Sequence, residues 1–208
     1  MDFVDHQPIN HHLKKYYQFQ SKIYDATRWA FLFGRKRLID NCPCFEDKAL
    51  NILEIGCGTG YNLLHLRKKF PSSKIFAVEL SPDMAQIAKN KVIHDSHTMI
   101  IEGSYHASLI DIKMDVLVFS YILSMTDTHF KALIQEAKQQ LKPGGIIAIV
   151  DFNHSPVNLF KKHMKNNHVT MDGKLTPFLV HKFPNQELRI HKAYFGLWTY
   201  FTFYGINN

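Results

Sequence analysis

A glycine-rich turn between an apolar stretch and a helix restricts the fold of this chain more than any other feature. Residues 52–60 read ILEIGCGTG, and glycines there let the backbone turn sharply and approach a ligand closely. The helix that follows offers free N–H groups in its first turn. Glu79 ends the next apolar stretch, where a carboxylate can accept hydrogen bonds from both ribose hydroxyls of a nucleoside. The combination predicts a nucleoside-type ligand at the carboxyl ends of parallel strands.

Short apolar stretches alternate with helix-like segments through most of the chain. We predict strands over 49–55, 74–78, 98–101, 115–119 and 146–150, with helices over 61–70, 81–92 and 126–141 between them. This alternation is typical of a parallel sheet with helices on both faces. Two more strand-like stretches, 188–193 and 199–204, predict an antiparallel C-terminal pair. The expected fold class is therefore α/β, a Rossmann-like seven-stranded, mostly parallel sheet.

The length of 208 residues suits a single domain. We expect residues 1–45 to form an N-terminal helical cap, with helices over 10–20 and 22–40. Residues 46–152 then form a cofactor-binding core. Residues 153–208 form a substrate-side insertion, polar over 153–185 with a helix near 156–167, followed by the C-terminal strands.

Composition limits the partners and the compartment. No apolar run reaches the roughly 18 residues of a transmembrane helix, and the N-terminus does not read as a secretory signal. Three irregularly spaced cysteines argue against a disulfide framework, so we expect a cytoplasmic protein. The histidines show no metal-ligand spacing, and we predict no metal site. The net charge of +7 is consistent with an acidic partner such as anionic lipid, an acidic metabolite or nucleic acid. The alternative is that the charge only gives the protein a basic surface and reflects no partner.

The spacing of the glycines argues against a dinucleotide site. A G-x-G-x-x-G pattern that starts at Gly56 requires glycine where this chain has Tyr61. The actual pattern is G-x-G-x-G, preceded by Glu54, and it resembles motif I of class I S-adenosylmethionine-dependent methyltransferases. The resemblance covers about 49–152 and includes the LKPGG turn at 141–145. It implies that the cofactor is S-adenosyl-L-methionine.

The resemblance also implies roles for single residues. The glycine loop would lie along the amino-acid end of the cofactor, Glu54 would hold its ammonium, and Glu79 would bind its ribose. The family often has an Asp that contacts the adenine amino group. Here Ser104 takes that place, a departure from the family pattern, and its hydroxyl can accept the same hydrogen bond. The cofactor-binding residues implied are Glu54, Gly56, Cys57, Gly58, Gly60, Glu79, Leu80, Ser81, Ser104, Tyr105 and Ser120.

Two further segments bear on the acceptor. After the fourth strand the chain reads Ser-Tyr-Ile-Leu at 120–123, instead of the Asn/Asp-Pro-Pro-aromatic segment of nucleic-acid amino-methyltransferases. We therefore expect no nucleic-acid partner. Residues 24–39, YDATRWAFLFGRKRLI, resemble bacterial lipid-headgroup N-methyltransferases, and residues 195–201 fit the same group. Its closest members make betaine lipid from diacylglyceryl-homoserine, and phosphatidylethanolamine and quinone-precursor methyltransferases are more distant.

This second resemblance implies N-methylation of a lipid headgroup or a small amine. The basic, aromatic N-terminal cap would contact an anionic membrane. Tyr24 and Tyr121 are candidate catalytic residues because aromatic faces stabilise a growing cation, and Arg28 is a third because guanidinium binds a carboxylate or phosphate.

Three alternatives stay open at this point. One is O- or C-methylation of a quinone precursor or another small molecule. Another is a module that binds S-adenosylmethionine without turnover. The third is an RNA methyltransferase, suggested only by the basic charge, which would show steeply salt-dependent RNA binding.

Overall fold

The computed structural model describes residues 30–44 and 48–208, and it places a seven-stranded sheet at the centre of the molecule. The strand order is β3-β2-β1-β4-β5-β7-β6. Strands β1 to β5 are parallel, and β7 runs antiparallel to both β5 and β6. The strands are β1 (Asn51–Ile55), β2 (Lys74–Glu79), β3 (Thr98–Glu102), β4 (Met114–Ser120), β5 (Leu141–His154), β6 (Gln186–Ala193) and β7 (Trp198–Ile206).

Helices connect the strands. They are α1 (Arg35–Asp40), α2 (Tyr61–Lys69), α3 (Pro82–Lys91), α4 (Phe130–Gln140), α5 (Asn158–Asn166) and α6 (Leu175–Lys182). Short 3-10 turns precede α4 at Leu123–Met125 and Asp127–His129, and another joins β6 to β7 at Tyr194–Gly196. Among the described residues, no helix is long and apolar enough to cross a membrane.

The sheet separates two apolar clusters because successive strand side chains point to opposite faces. In β7, Trp198 and Tyr200 join the cluster beneath α1, α2 and α5, whereas Phe201 and Phe203 join the cluster beneath α4 and α6. All four side chains are buried. The mainly apolar and aromatic composition of 197–204 is therefore explained by a strand that is covered on both faces.

The predicted fold class is confirmed, and six of the seven predicted strands begin and end within two residues of those observed. The exception is β5, which begins at Leu141 instead of 146, so the predicted turn at 141–145 is an irregular part of the strand. The helix predicted over 81–92 begins where its signals indicated, because the Ser81 hydroxyl accepts a hydrogen bond from the Met84 N–H at 3.5 Å and Pro82 takes the first helical position. The helix predicted from 126 begins at Phe130 instead, after two 3-10 turns.

The prediction of one helix over 22–40 was wrong for residues 30–34 and right for residues 35–40. Residues 30–34 form turns, and α1 begins only at Arg35. Gly34 has φ +80°, and a Cβ there would lie 2.7 Å from the Tyr200 ring, so the backbone turns against β7 before the helix starts. The helix predicted over 10–20 lies outside the described residues.

The segment 153–185 contains more buried structure than its polar composition suggested. Beside the expected helix, here α5, it forms α6, which sequence analysis missed. Leu175, Leu179 and Phe183 are buried against the α4 face. The eight-residue length of α6 and the Lys and His residues between its apolar positions hid its periodicity. The position of this segment on the substrate side stays a prediction.

Candidate functional site

The glycine loop lies where β1 passes into α2. The N–H groups of Gly56 and Cys57 donate to the Val78 carbonyl at 2.8 and 3.2 Å, which fastens the loop to the end of β2. Gly56, Gly58 and Gly60 have φ values of +72°, +56° and +80°. This is a left-handed conformation that a side chain disfavours, which explains why glycines stand at these positions.

Glu79 faces the loop from the end of β2. Its carboxylate accepts hydrogen bonds from the Gly58 N–H at 2.8 Å and from the Ser81 N–H at 2.9 Å. The side chain is buried, and burial raises its pKa while the two backbone bonds act in the opposite direction. The carboxylate therefore joins the two loops that border the cavity, one after β1 and one after β2.

Glu54 is the most unusual group at the site. It is fully buried, and its Oε1 accepts a hydrogen bond from Asn62 Nδ2 at 2.6 Å, whereas its Oε2 has no partner among the described residues. Burial raises its pKa to about 8, opposed by Asn62 and by the charge of Arg35. An uncompensated buried carboxylate is costly, and a bound cation such as the ammonium of an amino acid would compensate it.

Arg35 borders the same compartment. It stands at the start of α1, and its Cζ lies 4.0 Å from the centre of the Tyr61 ring. Arg35, Glu54 and Asn62 line a small cavity with the glycine loop. A buried carboxylate and a guanidinium on two sides of one cavity match the ammonium and carboxylate of an amino acid.

The larger cavity lies on the other side of the glycine loop, between the ends of β1, β2, β3 and β4. Gly56, Gly58 and Ser120 border both cavities, so the two adjoin each other. Its walls are mainly apolar, as a nucleobase requires. Residues that line it are Ile55, Gly56, Gly58, Val78, Glu79, Leu80, Met84, Gly103, Ser104, Tyr105, Ser120, Tyr121, Ile122, Met125, Thr126 and Leu133.

Tyr121 follows the end of β4 in a left-handed conformation, with φ +58°. Its N–H donates to the Val150 carbonyl at 2.8 Å, and its hydroxyl donates to the Phe33 carbonyl at 2.6 Å. Burial raises the pKa of the phenol well above its usual range. The phenol is therefore neutral, with its hydrogen committed to the N-terminal segment.

Asp151 supports the loop that follows Tyr121. The carboxylate is fully buried and accepts hydrogen bonds from the Ser124 N–H at 3.2 Å and the Phe152 N–H at 2.7 Å. Burial raises its pKa to about 6, opposed by these bonds. It is therefore ionised at neutral pH, and it holds the 3-10 turn 123–125, which borders the cavity, against β5.

The structure brings most of the predicted site residues together. Of the predicted cofactor-binding set, Gly60 and Ser81 line neither cavity. Gly60 instead lies behind the loop against α3, and Ser81 caps α3 and bonds Glu79. Tyr24 and Arg28 lie outside the described residues.

Sequence analysis missed Arg35, Tyr61 and Asn62. Asn62 lies two residues after the last loop glycine, on the helix face that turns back toward Glu54, which was a usable signal. Arg35 comes from a distant segment, and only the fold brings it to the loop.

Comparisons with known proteins agree with this geometry. A family model described as a methyltransferase domain matches residues 24–204. A malonyl-[acyl-carrier protein] O-methyltransferase of Priestia megaterium is 34% identical over 147 residues, which cover 68% of this chain and 52% of the relative. O-methyltransferase 3 of Dictyostelium discoideum is 24% identical and is covered over 42% of its length. The chain thus spans about half the length of these relatives.

Solved structures share the fold at low sequence identity. Phosphoethanolamine N-methyltransferase 2 of Haemonchus contortus, in complex with phosphomonomethylethanolamine and S-adenosylhomocysteine, has a TM-score of 0.75 at 13% identity, covering 94% of this chain and 60% of that one. A methyltransferase of Haloferax volcanii, in complex with its Trm112 activator, has a TM-score of 0.72 at 14% identity, covering 93% and 96%. These structures share the fold, and the family model over residues 24–204, the 34% identical relative and the glycine loop with Glu54 and Glu79 show that the chain belongs to the class I S-adenosylmethionine-dependent methyltransferases.

Proposed function

We propose that this enzyme methylates the amine of a lipid headgroup. The observation that carries the proposal is the bonding state of Tyr121. Because its hydroxyl donates to the Phe33 carbonyl, the oxygen offers only lone pairs to a substrate. A primary or secondary amine brings N–H donors to such an oxygen, whereas a carboxylate brings none.

The residues proposed to hold the cofactor divide between the two adjoining cavities. Glu54 and Arg35 would bind the ammonium and the carboxylate of its amino-acid part. Glu79 would bind the ribose hydroxyls, partly replacing its bonds to backbone N–H groups. Leu80, Ser104 and Tyr105 would surround the adenine. Bound S-adenosylmethionine would supply an electrophilic methyl group to the lone pair of the neutral amine, with S-adenosylhomocysteine as the leaving group and the extra proton on nitrogen lost to solvent.

The contribution of the protein to the transfer is then mainly orientation. Holding two reactants in line makes the reaction effectively unimolecular and accounts for a large share of the rate. Tyr121 would orient the amine through its lone pairs, and its ring would face the developing positive charge. Asp151 acts behind it as a positioning residue, through the 123–125 turn. Tyr24 and Arg28 are proposed to complete the acceptor side, Arg28 by binding a headgroup carboxylate or phosphate.

A second candidate function is O-methylation of a carboxylate. It is favoured by the 34% identity to a malonyl-[acyl-carrier protein] O-methyltransferase. A carboxylate is already nucleophilic at neutral pH and needs no base, so the cofactor site would serve either acceptor.

The stability of the product in alkali distinguishes the two candidates. The full chain is incubated with methyl-labelled S-adenosylmethionine and, in separate reactions, with detergent-dispersed phosphatidylethanolamine, with diacylglyceryl-homoserine and with a malonyl-loaded carrier protein. A methyl ester releases labelled methanol on mild alkaline treatment, whereas an N-methyl group stays on the amine. Alkali-stable label on an aminolipid is expected. Volatile label from the carrier reaction, with none on either lipid, contradicts the proposal and establishes the second candidate.

A further inference from the structure

An exposed apolar surface with lysines around it lies beside the β6–β7 turn. Phe195 is fully exposed at the tip of this turn, and Leu159 is 79% exposed in the first turn of α5. Val157 and Tyr194 add two more exposed apolar side chains, and Lys162 and Lys165 are exposed on α5. We call these six residues the basic–apolar face.

The fold holds the two halves of this face together. The Ser155 hydroxyl, just before α5, donates to the Leu197 carbonyl at 2.6 Å. Phe160 on the inner side of α5 stacks on Trp198 with ring centres 5.1 Å apart, and Tyr194 lies 4.9 Å from the same ring. The inner side of α5 is therefore anchored in the core, and its outer side and the turn point away from the sheet as one surface.

The backbone of the β6–β7 turn is strained at Tyr194 and at Phe195, the residue exposed at its tip. Tyr194 and Phe195 have φ values of +44° and +56°, a conformation that aromatic residues rarely adopt. Tyr194 is fixed by its ring contact and by its hydroxyl, which donates to the Ala30 carbonyl at 2.9 Å. Strain of this kind persists where the surrounding structure enforces it, and it is concentrated at functional positions.

The charge around the exposed apolar side chains has one sign. Residues 153–171 contain three lysines and no Asp or Glu, and residues 188–206 contain no Asp or Glu either. Protruding apolar side chains flanked by lysines are typical of a protein surface that rests in the interface of an anionic bilayer. A protein interface more often buries its apolar residues in the centre of a closely packed patch.

We infer that the basic–apolar face docks on a membrane that contains anionic phospholipid, with Phe195 and Leu159 inserted and the lysines at the phosphates. The face extends from the carboxyl end of β5, the sheet edge at which the cofactor cavity lies. Docking there would bring the cavity close to lipid headgroups. The role of docking in catalysis rests on the proposed function, but docking itself is measured by vesicle binding, without any methylation.

Flotation of the full chain with vesicles tests this inference. Vesicles of phosphatidylcholine mixed with phosphatidylglycerol are compared with phosphatidylcholine alone, so no amine acceptor for methylation is present. Phe195→Ala is expected to lower binding about tenfold, and Lys162→Gln with Lys165→Gln roughly thirtyfold. Ile93→Ala, 70% exposed between α3 and β3, is the matched apolar control.

The matched charge control is Lys68→Gln with Lys74→Gln, at the opposite, amino edge of the sheet. Both controls are expected to bind like the wild type. Phe195→Trp is expected to keep binding, with its emission shifted to shorter wavelength on anionic vesicles. Absence of wild-type binding to anionic vesicles, or equal losses in test and control variants, overturns the inference. The inference is also overturned if the protein binds no vesicles but binds an acidic carrier protein, and if that binding is lost in the Phe195 and lysine variants. Lipid-amine methylation in detergent, in a protein that binds no vesicles, would leave the proposed function intact.

Discussion

The buried carboxylate of Glu54 leads to a prediction in which stability and cofactor binding change in opposite directions. Its pKa is raised to about 8 by burial, against about 4.3 in an unfolded chain. A raised carboxyl pKa means that the folded state binds the proton more tightly than the unfolded state does. The free energy of unfolding therefore falls as pH rises through this window.

The change is large enough to measure. From these two pKa values, burial of Glu54 lowers the free energy of unfolding, relative to low pH, by about 2 kcal/mol at pH 6 and about 5 kcal/mol at pH 8. Glu54→Gln keeps the size of the side chain and the acceptor for Asn62 but removes this cost. We expect the variant without ligand to be more stable than the wild type at pH 8, by up to that amount, and to differ little from it at pH 4.

The variant should lose affinity for S-adenosylmethionine and S-adenosylhomocysteine because their ammonium group no longer meets a carboxylate. A hydrogen bond to a charged group contributes about 1.5–3 kcal/mol, which corresponds to roughly 10- to 150-fold weaker binding. Binding to the wild type should also release protons near pH 7, since the ammonium favours the ionised carboxylate.

Urea unfolding from pH 4 to 8 and calorimetric titration in two buffers of different ionisation enthalpy measure these effects. Glu102→Gln, at the exposed end of β3, is the control and should change neither. If the stability of Glu54→Gln and that of the wild type depend on pH in the same way, the claim that burial raises the pKa of Glu54 is refuted. Wild-type affinity in the variant would refute the proposed ammonium contact.

Three further substitutions test other parts of the site. Glu79→Ala should weaken S-adenosylhomocysteine binding at least about tenfold in calorimetric titration, since it removes the acceptor for two loop N–H groups; unchanged affinity would contradict its assignment to the ribose. Tyr121→Phe should lower kcat for an amine acceptor while leaving cofactor affinity unchanged, and an equal loss of cofactor affinity would indicate a structural role only. Gly60→Ala should destabilise the protein by about 2 kcal/mol or more, because φ is +80° and the new Cβ would lie 3.2 Å from the α3 backbone. Gly144→Ala is the control for the effect of backbone conformation alone, because Gly144 has φ +76° and no described atom lies within 4 Å of the new Cβ. In urea unfolding, this variant should lose less free energy of unfolding than Gly60→Ala.

Local patterns determined the fold class and the cofactor. The glycine loop, Glu79 and the Ser81–Pro82 helix start depend on residues that are close in sequence, and their signals come from backbone conformation and capping. The order of apolar strands and helices then leaves few possible topologies, because parallel strands need crossover helices. The element order was therefore enough to predict a Rossmann-like fold, and the resemblance of the glycine loop to motif I predicted the methyltransferase and its cofactor.

Contacts between distant segments were decided only by the tertiary structure. Arg35 reaches the Glu54 compartment because Gly34 turns the chain against Tyr200, and neither the turn nor the contact has a local signal. The raised pKa of Glu54 depends on its complete burial, and the Tyr121 hydroxyl donates its hydrogen bond to a carbonyl 88 residues away in the chain. The basic–apolar face likewise joins α5 to the β6–β7 turn. Sequence determines which local elements form, whereas burial and electrostatic environment exist only after those elements pack together.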